Sequence, residues 1–121
     1  MFLYLRIVYT AYDIHAVGHD EYALVFDRIN RGSNTDIVTS DVGECHSTDS
    51  NRYAFHLPDD WSEEKIKRFG EAIQAAVYEY CRQNKMPSER HSSLAGAMEM
   101  VMDCSYRDLY KKFLLEGLED L

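Results

Sequence analysis

Cysteine is sparse. Cys45, Cys81 and Cys104 are the only three, an odd set with no CxxC spacing, which argues against a disulfide framework. Bases are also short, with 13 Lys and Arg against 21 Asp and Glu, a formal net charge of -8. A field of that sign repels a phosphate backbone, so direct contact with nucleic acid is disfavoured. No apolar run approaches the ~18 residues of a membrane span. The opening "MFLYLRIVYTAY" starts without a basic segment and is interrupted by Arg6, unlike a secretion signal. Glycine-rich phosphate loops, internal repeats and low-complexity segments are missing too. A reducing cytoplasm is the simplest expected setting.

What remains describes one folded domain. A chain of 121 residues is long enough for a core without staples and short enough for a single unit. Nine Tyr, five Phe and one Trp give it aromatic surface to bury, so disorder is not expected. The charge is uneven. Residues 1–60 hold ten acids and four bases, and residues 61–121 hold eleven acids and nine bases.

Residues 1–58 read as strands. "FLYLRIVYT" puts Leu3, Leu5, Ile7 and Tyr9 on one face and Phe2, Tyr4, Arg6 and Val8 on the other. Both faces are mostly apolar, as in a central strand or one with an oligomer contact behind it. "EYALVFDRI" reads as a second strand. "RGSN" reads as a turn and "TDIVTS" as a third, more polar strand. "DVGECHSTDSN" (Asp41 to Asn51) reads as a loop. "RYAFHL" is a fourth strand, with Tyr53, Phe55 and Leu57 inward and Arg52 and His56 outward. Short connections imply antiparallel pairing.

Residues 59–121 read as helix. Asp60 is the expected N-cap, with Glu63 as capping-box partner. Ile66, Phe69, Ile73, Val77 and Tyr80 then recur at steps of three and four, which predicts an amphipathic helix over about 61–84. "NKMPSERHSS" breaks it, and Ser92 or Ser93 starts the next helix. From there the pattern permits one helix over 93–117, or two with Ser105 and Asp108 capping the second. Strands first and helices after predict an α+β domain. An antiparallel sheet of about four strands (residues 2–57) is followed by two or three C-terminal helices packed on one face.

Three stretches could carry chemistry. "HAVGHDEY" sets His15 and His19 four apart beside Asp13, Asp20 and Glu21. Metal binding needs at least three convergent ligands. Gly18 argues against the helix that would align the two rings, so a hairpin tip is expected and no metal or cofactor. "ECH" (Glu44 to His46) suggests a Cys/His nucleophile, but the adjacent acid would raise the Cys45 pKa. The break between the helices clusters Arg82, Lys85, Arg90 and His91 with Ser92 and Ser93 just before a helix start. Cations at a helix N-terminus can hold a phosphate-bearing small molecule.

No catalytic constellation stands out, so the first expectation is a non-enzymatic binding protein that docks on a protein partner with a basic surface. Its contact residues would be Asp13, Asp20, Glu21, Asp27, Asp36, Asp41 and Glu44. An acidic surface of this kind can occupy a basic, nucleic-acid-binding groove, as an inhibitor would. The second expectation is a binder of a nucleotide-like anion at the loop before residue 92. The third is a small hydrolase or metal-dependent enzyme using His15, His19 or His46. Met98, Met100 and Met102 leave surplus apolar surface on one helix, which also fits a homodimer.

Overall fold

The computed structural model describes residues 1–11, 21–28, 41–49 and 52–116. Among these, four strands precede three helices: β1 (Phe2–Tyr9), β2 (Tyr22–Arg28), β3 (Cys45–Asp49), β4 (Arg52–His56), α1 (Glu63–Gln83), α2 (His91–Cys104) and α3 (Tyr106–Leu114). The strands form one antiparallel sheet in the order β2-β1-β4-β3. The α+β class read from the sequence is what the chain adopts.

The period of two in β1 sets the faces. Leu3, Leu5 and Ile7 point to the helices and are buried. They meet Leu24 of β2 and Phe55 and Leu57 beside or on β4, all in one core cluster with the helices. The opposite face is also partly covered, since Val8, Ala23, Val25 and Ala54 are buried. There Arg6 pairs with Asp27, Arg52 lies 4.9 Å over the Tyr4 ring and Phe2 stacks on His56 at 4.4 Å.

α1 follows its apolar stripe closely, burying Ile66, Phe69, Ile73, Val77 and Cys81. Its start differs from the sequence reading. Ser62, not Asp60, is the N-cap, and its hydroxyl accepts from the Lys65 N–H at 3.1 Å. Trp61 and Ile66 then occupy the two staple positions around the cap, and both are buried in the core. Burying the Trp61 ring holds the chain one turn before the helix, leaving Asp60 exposed and outside it.

Gly70 lets α1 and β2 approach. A Cβ there would sit 3.0 Å from the Phe26 ring. α1 ends with Lys85 in the left-handed region at φ 55°. The Met86 N–H bonds the Cys81 carbonyl at 2.8 Å, the closure that ends many helices.

Two further readings are corrected, and one left open is decided. "DVGECHSTDSN" is not all loop, because Cys45–Asp49 forms β3 and pairs with β4. Its polar sequence hid it; in the sheet, main-chain bonds to β4 supply what side-chain pattern does not. α2 starts at His91, with Arg90 as an extended N-cap that makes no side-chain cap bond. The segment after residue 93 is two helices, broken at Ser105, whose N–H returns to the Val101 carbonyl at 2.8 Å. Ser105 makes no side-chain cap bond. The expected strand "TDIVTS" lies outside the described residues.

Candidate functional site

The helices sit off-centre on the sheet. The main-chain approaches of α1 and α2 to the sheet fall on β1 and β2. Among the described residues the helix-facing side of β3 is only partly covered, Cys45 packing against the core, and a cleft of about 920 Å³ lies there. Its floor is Cys45 and Ser47 of β3 with Tyr53 of β4. Its wall is the α2–α3 elbow, with Met102, Asp103, Tyr106, Arg107 and Asp108, and Glu44 and His46 stand at the rim.

Two tyrosines tie the wall to the strand. The Tyr106 hydroxyl donates to the Gly43 carbonyl at 2.9 Å. The Tyr110 ring lies under Gly43 so closely that a Cβ would meet it at 2.9 Å. Gly43 itself has φ 98°, a conformation that glycine adopts without strain. The approach to β3 is thus clamped on α3 by backbone geometry that other residues resist.

The cleft is negative. Burial pushes the Cys45 thiol up to about 11, with the Asp103 and Glu44 carboxylates adding to it. Tyr53 is raised by burial and then by Glu99, Asp103 and Cys45. Tyr106 is raised as well, chiefly by burial. Each of these groups resists a further negative charge, and carboxylates contribute for the first two. Some carboxylates elsewhere have cations: Asp27 has Arg6, Glu79 has Arg82 and Glu116 has Arg68. Among the described residues Glu44 pairs with His46 alone, at 3.2 Å. Among the described residues Asp103, Asp108 and Glu99 have neither an ion pair nor a hydrogen bond through their side chains. The last turn of α2 also holds no base to offset its dipole.

The residues expected from the sequence fall in several places. Glu44 joins the cleft, and Asp41 is exposed just before β3. Asp27 is on the outer face of β2, bound to Arg6, and Glu21 precedes β2 at the other side of the sheet. Those acids do not make one patch. Asp13, Asp20, Asp36, His15 and His19 lie outside the described residues.

Cys45 and His46 alternate along β3, Cys45 opposite Phe55 and His46 opposite Ala54, so their side chains take opposite faces. A thiol pushed up in pKa with its neighbouring imidazole turned away is a poor nucleophile. Among the described residues no group of three or more His, Cys, Asp or Glu is placed to hold a metal ion.

The loop before α2 gathers fewer donors than its sequence suggests. The Arg82 guanidinium is held by Glu79. His91 packs edge-on to Tyr22 at 5.6 Å. Ser93 is buried, and its carbonyl accepts from the Cys81 thiol at 3.8 Å. Lys85, Arg90 and Ser92 are exposed.

Sequence reasoning missed Tyr53, Asp103, Tyr106 and Asp108 as one site. The available signal was a pair of acids flanking the helix break at Ser105. No protein-family model matches this chain, and neither a curated protein nor a solved structure does so. Among the described residues no helix is long and apolar enough to cross a membrane.

Proposed function

We propose that this protein is a binding protein that docks on a basic segment of a protein partner, using the cleft between β3 and the α2–α3 elbow. The observation that carries this reading is the pair Asp103 and Asp108, carboxylates that line a concave site and form no ion pair among the described residues, Arg107 beside them included. Exposed carboxylates gathered around a concave site give it a negative potential that steers a basic segment toward it. A protein whose basic surface binds nucleic acid has this chemistry, so an inhibitory role at such a surface belongs to the same reading. The anion-binding alternative loses support from the placement of Arg82 and Ser93.

The test is a panel of Lys- and Arg-rich peptides titrated against the protein between about 50 and about 300 mM salt. Affinity should fall with salt. The double substitution Asp103→Asn with Asp108→Asn should weaken binding at least about tenfold. Peptide binding that survives both substitutions would place the site elsewhere.

A further inference from the structure

We propose that the cation recognised in this cleft is an arginine guanidinium, laid on the Tyr53 ring and bonded at its edge by Asp103. The inference rests on reading the cleft as the docking site for a basic segment. Its ground is a sheet face that the described helices cover only in part, and the chemistry around it.

The floor offers a flat aromatic surface. Tyr53 is half-buried on β4, packed against the edge of the core beside Cys45. Asp103 lines the same cleft from the end of α2, with Glu44 and Asp108 on either side. A planar fork of donors can bond a carboxylate and stack on a ring at once, whereas an ammonium is a compact point charge.

The floor is also partly out of water. Burial is the first cause of the raised Cys45 thiol. Stacking on the half-buried Tyr53 ring would strip water from one face of the cation, and a guanidinium holds its water less tightly than an ammonium does. A volume of about 920 Å³ accommodates more than one side chain, so a segment can enter with its arginine.

The chain uses the same device internally. Arg68 lies 5.8 Å over the Phe113 ring while its guanidinium bonds Glu116 at 2.7 Å. Arg52 lies over Tyr4. Lys65 lies 4.7 Å over Trp61, with no ion-pair partner among the described residues. Arg107 is the cleft's own guanidinium, on the wall next to Asp108. It partly offsets the carboxylates but has no ion pair with them.

The experiment compares two Gly/Ser-spaced peptides of equal length and charge, one carrying arginines and the other lysines. Dissociation constants are measured at about 0.1 M salt. The arginine peptide should bind at least about fivefold more tightly. Tyr53→Leu, checked for folding by circular dichroism, should bring that ratio close to one. The lysine peptide should lose less affinity than the arginine peptide does. Equal affinities, or a lysine preference, in the unaltered protein would overturn the inference and leave the docking reading standing. Binding of neither peptide would overturn both.

Discussion

The two sides of the sheet are finished differently. On the β2 side, α1 closes over the strand. Its Gln74 side chain donates to the Leu24 carbonyl, and the Leu24 N–H donates to the Tyr78 hydroxyl at 3.0 Å. The Tyr22 N–H reaches the Glu89 carbonyl at 3.1 Å. Main-chain groups that would invite another strand are occupied there. On the β3 side, helices stop short, and the sheet's inner face looks into a cleft with carboxylates around it. The same sheet thus has a side committed to stability and a side available for recognition. Burial separates them: Leu24 is 2% exposed, while the Glu44 side chain is 52% exposed.

The largest break in this comparison should come from the core. Phe69 is fully buried and packs edge-on to Phe55, Trp61 and Phe113. Phe69→Ala is expected to cost about 3–5 kcal/mol, whereas Tyr53→Ala on the cleft floor should cost about 1 kcal/mol. Urea unfolding of the two variants checks this. Comparable losses would mean that the cleft side carries as much of the fold as the closed side.

A smaller effect belongs to Tyr78. Tyr78→Phe keeps the ring but leaves the Leu24 N–H without its acceptor, at a cost of about 1–3 kcal/mol. With the β2 edge partly opened, self-association should also rise, which size-exclusion chromatography over a concentration series would register. A variant as stable and as monodisperse as the parent would show that the sealing bond contributes little.

The smallest effect is chemical. With its thiol pushed up to about 11 from 9.0, Cys45 should be alkylated far more slowly at about pH 8 than the exposed Cys104. The unfolded chain ionises this thiol near 9.0 and the folded chain near 11. Between those values the unfolded state has lost a proton that the folded state keeps, so stability falls as pH rises through that window. Cys45→Ser should remove that part of the slope. Equal labelling rates for Cys45 and Cys104, read by peptide mass mapping, would contradict the burial of the cleft floor.

How much of this was legible from the sequence depended on periodicity. The stripe from Ile66 to Val77 is strong and repeated, so α1 could be read with little ambiguity. Its first residue could not, because Asp59, Asp60 and Ser62 are all capping types and tertiary burial of Trp61 decides among them. β1 is legible from its run of β-branched and aromatic residues, and β4 from its alternation. "CHSTD" has no apolar pattern, and only its pairing with β4 makes it a strand. The break at Ser105 was one of two permitted readings, since the apolar face continues across it. The cleft was illegible for another reason. Gly43 and Tyr106, which bound it, are 63 positions apart, and no local rule joins residues at that distance.

Gln74 and Tyr78 have one more consequence, for how the chain finds its pairing. They are one turn apart on α1 and take the two polar groups of a single residue, Leu24, like the pins of a plug in its socket. A slip of β2 by one position would present Ala23 or Val25 to the helix instead. It would also turn the strand's inner side chains to the opposite face. Two side chains on a helix thus proofread the alignment of a strand fifty or more positions earlier in the chain.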